Sequence, residues 1–133
     1  MIVDSSAIIA IIRDEPEKPV MLDRLLNARS AGEATRISAG TLLETTIVVD
    51  RYKDREASRL LDAILGALML EVVSVDAELA ALARLANRTF GKGFHPARLN
   101  LGDCFAYALA RQTGEPLLFK GRDFAQTDIV SAI

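Results

Sequence analysis

Apolar residues recur along this chain in short blocks, and their period switches repeatedly between two and about 3.6. Residues 1–4 read as a short strand. A helix follows to residue 12, with Ser5 or Ser6 as its cap. The run Asp14-Glu15-Pro16-Glu17 interrupts it and opens a second helix over 18–29, ended by Ala31-Gly32. Residues 35–38 make a strand, 39–52 and 54–69 two helices, and 70–75 (LEVVSV) another strand. Asp76 caps a helix to residue 89. A Gly-, Pro- and base-containing loop covers 90–100. Asp103 opens a helix that ends near Gly114, 116–119 is a buried strand, and a short tail strand falls at 128–130.

Strands alternating with helices imply an α/β fold: a mostly parallel sheet covered on both faces. The 133 residues suit one domain, 1–133, with no linker or repeat. Half of them are apolar but only 5% aromatic, so the core rests on Leu, Ile, Val and Ala. No apolar run is long enough to span a bilayer, and the start of the chain does not resemble a signal peptide. Cys104 is the only cysteine, which rules out an intrachain disulfide and suits a reducing cytoplasm. A net charge of -2 argues against a passive coat on nucleic acid, though not against an enzyme whose carboxylates hold cations. With His95 as the only histidine, neither a histidine-pair ribonuclease nor a Cys/His zinc site can be built.

In parallel sheets ligands bind beyond the carboxyl ends of the strands. Asp4 ends the first strand, and Asp123 follows the strand at 116–119. If those strands are neighbours, both acids face one crevice. Asp103 is either a simple helix cap or a site acid on a buried helix end. Glu44 lies in the apolar run Leu42-Leu43-Glu44-Thr45-Thr46-Ile47-Val48-Val49. It is either on a narrow exposed stripe or buried with a partner, because an unpaired buried carboxylate costs roughly several kcal/mol. Four acids in one crevice would repel each other, and a divalent cation would relieve that. Oxygen ligands alone favour Mg²⁺, with Mn²⁺ as a substitute. The other acids read as caps or solvated faces, with Asp128 either a supporting acid or a tail cap.

These residues carry a resemblance. Met1-Ile2-Val3-Asp4-Ser5-Ser6-Ala7, Leu42-Leu43-Glu44-Thr45, Leu99-Asn100-Leu101-Gly102-Asp103-Cys104-Phe105-Ala106-Tyr107-Ala108 and Pro116-Leu117-Leu118-Phe119-Lys120-Gly121-Arg122-Asp123-Phe124 occur in order along the whole chain. Together they resemble the PIN-domain ribonucleases, in particular the VapC-type toxins of bacterial toxin–antitoxin pairs. The resemblance implies a three-layer α/β/α PIN-like fold and a Mg²⁺- or Mn²⁺-dependent endoribonuclease. It further implies a homodimer inhibited by a VapB-type antitoxin. It assigns Asp4 and Asp103 as the first metal ligands, Glu44 next and Asp123 last. Some relatives carry the closing acid two positions earlier, where this chain has Gly121, so direct and water-mediated ligation by Asp123 both stay open.

Ser6 reads as a hydroxyl that orients a carboxylate, or as a helix cap. In the loop Arg88–Arg98, Lys92 and Arg98 stand with two phenylalanines, a mix suited to a phosphate backbone with stacked bases; the bland reading is a solvated loop packed on its rings. Lys120 and Arg122 flank the expected crevice and are further candidates for RNA. Three rival readings compete with this one. A catalytically silent module would share the fold. A phospho-receiver domain wants adjacent acids after the first strand, where Ser5-Ser6 stand. A haloacid-dehalogenase-like phosphatase wants a second Asp where Ser6 is.

Overall fold

The structure is a computed structural model describing residues 1–133. Its elements run β1 (Ile2–Val3), α1 (Ser5–Ile12), α2 (Lys18–Ser30), β2 (Arg36–Ser38), α3 (Ala39–Asp50), α4 (Arg55–Leu68), β3 (Glu71–Val73), α5 (Ala77–Phe90), α6 (Leu101–Thr113) and β4 (Leu117–Leu118), followed by a 3-10 turn over Phe124–Gln126. The sheet order is β3-β2-β1-β4, and every pairing is parallel. Ile2 pairs in register with Leu117 and Val3 with Leu118, so β1 and β4 are neighbours.

Alternation along β1 and β4 builds two cores. Ile2 and Leu117 face a layer of α5 and α6, where Leu79, Ala83, Ala86, Ala106, Ala108, Leu109 and Ala110 are buried. Val3, Leu118 and Ile37 face the opposite layer of α1, α2 and α4, against Ile8, Met21, Leu25 and Leu61. The small residues of α5 and α6 let those helices approach closely. This is the expected α/β/α architecture. No helix is long and apolar enough to cross a membrane.

Two caps differ from expectation. The cap of α1 is Asp4, one residue before Ser5 and two before Ser6, and its side chain accepts the Ser6 N–H. The cap of α6 is Asn100, and Asp103 occupies the third helical position in a reciprocal capping box. Asp76 caps α5 as expected, accepting the Leu79 N–H at 2.8 Å. The tail at 128–130 is no strand; it makes one bridge, Ser131 to Leu117. β3 is shorter than the run LEVVSV because it is an edge strand, with Val72 half out in solvent.

Candidate active site

A crevice of about 320 Å³ opens at the carboxyl ends of β1 and β4. Asp4, Glu44, Asp103 and Asp123 all line it, with Ser5, Ser6, Glu15, Asn100 and Lys120. The end of β1, helices α3 and α6 and the turn after β4 deliver these acids, from positions far apart in the chain.

Asp4 is 1% exposed. Its Oδ2 accepts two hydrogen bonds from Ser6, from the backbone N–H at 2.9 Å and from the hydroxyl at 2.6 Å. Ser6 Oγ in turn accepts the Lys120 N–H at 2.9 Å, which ties the start of α1 to the end of β4. Oδ1 is buried with no partner. A buried polar atom left unmatched is costly unless something else is meant to meet it. Burial raises the Asp4 pKa above the ordinary carboxylate range, against the two Ser6 bonds, and the charge of Asp123 raises it further.

Asp103 Oδ2 accepts the Asn100 N–H at 2.7 Å, and Asn100 Oδ1 accepts the Asp103 N–H at 3.0 Å. Asp103 therefore serves the capping box with one carboxylate oxygen and leaves the other for the crevice. Burial pushes its pKa to about 7, offset by the Asn100 bond and reinforced by Asp4, Glu44 and Asp123. Glu44, half-buried on α3, accepts a long hydrogen bond of 3.3 Å from Ser5 Oγ. Burial raises its pKa first, and the charge of Asp4 adds to that. Asp123 is exposed, after a turn in which Gly121 has φ 104, and its side chain caps nothing. None of the four forms an ion pair with a Lys or Arg.

All four donors are oxygens, and Asp4 Oδ1 lies free. That fits a hard divalent cation. No three of the acids form a ready-made cage.

The basic candidates are placed differently. The Lys120 ammonium lines the crevice but is held by Glu15 at 2.6 Å and Glu17 at 3.2 Å. Arg122 is exposed beside Asp123, outside the crevice lining. Lys92 and Arg98 are exposed on the loop before α6. In that loop Phe90 packs on His95 and Tyr107, with ring centroids 5.1 and 5.4 Å apart, while Phe94 is exposed. Asp128 is away from the crevice; it accepts the Tyr107 hydroxyl at 2.7 Å and pairs with Arg111. Sequence reasoning passed over Ser5, Asn100 and Glu15. The Asn100-x-x-Asp103 spacing was a visible capping-box signal; the Glu15–Lys120 pair, 105 positions apart, had none.

Comparisons with known proteins agree with this geometry. The PIN-domain family model matches residues 1–130. The chain is 44% identical to a ribonuclease VapC of Mycolicibacterium smegmatis over 98% of each chain. It is 46% identical to ribonuclease VapC28 of Mycobacterium tuberculosis, covering 100% of this chain and 98% of the relative. The fold matches the crystal structure of VapC20 from Mycobacterium tuberculosis, described as a sarcin–ricin loop cleaving toxin, with a TM-score of 0.75 at 21% identity over 97% and 95% of the two chains. Four acids meeting at the carboxyl edge of a parallel sheet and two independent sequence matches have one common reading: the chain belongs to the PIN-domain family, alongside the VapC ribonucleases.

Proposed function

We propose that this protein is a Mg²⁺- or Mn²⁺-dependent endoribonuclease that hydrolyses RNA phosphodiester bonds, the toxin of a VapBC-type pair acting in the cytoplasm. The observation that carries the metal-dependent chemistry is Asp4: a buried carboxylate with one oxygen fixed by Ser6 and the other free, in a crevice with three further acids, Glu44, Asp103 and Asp123, none of which is paired with the one lining cation, Lys120. The ribonuclease assignment draws on the names of the relatives.

Asp4 Oδ1 and the free oxygen of Asp103 are the first ligands, and Glu44 and Asp123 complete the shell directly or through water. When bound, the ion lowers the pKa of a coordinated water and stabilises negative charge on the phosphoryl group. The chain's own part is positional. Ser6 locks Asp4, the capping box locks Asp103, and the raised pKa values mark carboxylates that are poorly solvated until a cation meets them. Phosphate contacts fall to Arg122, Lys92 and Arg98. Lys120 contributes through its backbone and its hold on Glu15 and Glu17.

Partner surfaces support the rest of the reading. Leu43, Ile47 and Leu101 are exposed beside the acidic crevice and suit a homodimer contact. Val20 and Leu26 on α2 are exposed as well. A VapB-type antitoxin is expected to cover apolar surface on α2 or α3 and to place a basic side chain among the acids.

The decisive experiment is cleavage of RNA by the purified chain in Mg²⁺ or Mn²⁺, stopped by EDTA. Expression alone should slow growth; Asp4→Ala, Glu44→Ala and Asp103→Ala should relieve this at matched abundance, and Asp76→Ala should not. Full cleavage in EDTA would refute the metal mechanism, and no cleavage under any cation would favour a catalytically silent module.

A further inference from the structure

Gly102 occupies the first turn of α6 with an ordinary helical backbone; it is not among the residues with positive φ. Glycine is unfavourable inside a helix, and here the backbone does not require it. The surrounding space does. A Cβ built at Gly102 would lie 1.7 Å from Glu44 Oε2, 2.1 Å from its Cδ and 2.4 Å from its Oε1. All three nearest atoms belong to the tip of one side chain, and none to backbone.

Gly40, in the same pair of helices, makes a useful contrast. A Cβ there would meet the Phe105 ring at 2.6 Å, which is an ordinary demand of packing. At Gly102 the neighbour is a site carboxylate at the end of a flexible chain. The fold can absorb a methyl group at Gly102 by letting Glu44 swing away. Only Ser5, at 3.3 Å, holds the carboxylate from the other side.

We infer that Gly102 is a positioning residue for Glu44: the space left by its missing side chain is the seat of that carboxylate, and it sets how far Glu44 reaches toward Asp4 and Asp103. This rests on the nuclease reading above, since it assigns a role within the same site. Substitution by alanine keeps the helix, improves its local propensity and evicts the acid. Gly102 therefore separates the position of Glu44 from its charge.

The test combines Gly102→Ala with changes at Glu44, read by RNA cleavage, by calorimetric Mn²⁺ titration and by melting in EDTA. Gly102→Ala should melt at or above the wild-type temperature yet lose activity on the order of a hundredfold, as misplacement by an ångström or more does. Its Mn²⁺ affinity should fall to that of Glu44→Gln. Glu44→Asp alone should impair the wild type, but in the Gly102→Ala background it should restore part of the activity, because its carboxylate reaches one methylene less far. Gly102→Ala should also raise the melting temperature more in a Glu44→Ala background than in the wild type, because no carboxylate then has to move. A Gly102→Ala protein as active as a cleaving wild type would overturn the inference and leave the nuclease reading intact. A wild type that neither cleaves RNA nor binds Mn²⁺ would end the nuclease reading. The melting cycle would still report on the contact in that case, and equal shifts in both backgrounds would overturn it.

Discussion

The two edges of the sheet carry the same residue types and treat them in opposite ways. At the amino edge, Arg36 Nε donates to Glu71 at 2.8 Å and its guanidinium also meets Glu115, while Arg24 grips Glu33 through two bonds of 2.9 Å. Arg24 holds the Glu33 carboxyl below its usual range, and the Glu115 and Glu71 carboxylates raise the Arg36 pKa. At the carboxyl edge, Asp4, Glu44 and Asp103 are raised by burial, and the nearby Lys120 is turned toward Glu15 and Glu17 instead. Acids paired with arginine hold strands together and have nothing left to offer a ligand. Acids kept apart from cations are poorly stabilised alone and available to one. The difference marks the carboxyl edge as the candidate site without reference to any relative.

The sharpest way to break this contrast is activity. Asp4→Asn or Asp103→Asn should lower RNA cleavage by roughly a thousandfold or more, comparable to removal of an essential electrostatic group. Glu71→Gln at the amino edge should leave kcat/KM within a few-fold. A loss of similar size at both edges, with the melting temperatures matched, would erase the distinction.

Next in size is the response to metal. Saturating Mn²⁺ should stabilise the wild type by about 2.7 kcal/mol at a hundred times Kd. In EDTA, Asp103→Asn should melt at or above wild type, because it removes one repelling charge and keeps an oxygen for the Asn100 N–H. In Mn²⁺ that order should reverse. Glu71→Gln should gain from Mn²⁺ as much as wild type does.

The edges should also respond to pH with opposite sign. Asp103 has a folded pKa of about 7 against an ordinary 3.8, so between those values the folded state binds a proton that the unfolded chain releases. Without metal, this group's contribution is full below about pH 4 and declines as pH rises to 7, by on the order of a few kcal/mol. Glu33 is depressed, so its contribution is present at neutral pH and is lost as pH falls below the ordinary glutamate range. Chemical denaturation in EDTA from pH 4 to 7.5 should show the first trend, and Asp103→Asn should flatten it.

The smallest effect belongs to Ser6→Ala. It removes the 2.6 Å bond to Asp4 and leaves the Lys120 N–H without its acceptor. About tenfold in kcat/KM is expected, with a stability loss of about 1 to 3 kcal/mol. Unchanged activity would show that Asp4 is held well enough by the Ser6 N–H alone.

Much of this arrangement was legible in the sequence for a physical reason. The carboxyl end of a buried strand can be read from where an apolar run stops, which is at Asp4 in the first strand and shortly before Asp123 in the last. The adjacency of β1 and β4 was only a condition, since parallel pairing across the whole chain leaves no local mark. For Asp103 the sequence leaves cap and site acid both open, since an acid at a helix start suits either, and the structure shows one oxygen spent on the Asn100 N–H. The pairing of Lys120 with Glu15 and Glu17 leaves no mark in the sequence, because those acids sit on a turn far away in the chain. The tail near Asp128 was read as a strand from its composition, but Tyr107 and Arg111 anchor it as an irregular segment.

The bond from the Lys120 N–H to Ser6 Oγ spans 114 positions, and β1 finds its β4 partner only at Leu117–Leu118. Protein synthesis is vectorial, so a ribosome has already released the strand carrying Asp4 long before the segment that completes its surroundings exists. Until then Asp4 lacks β4 beside it, the Lys120 N–H behind Ser6, and Asp123. A partly made chain therefore carries three of the four acids and no assembled crevice. A chain that stops before Asp123 lacks one wall of the crevice, and the site is complete only after that codon has been read.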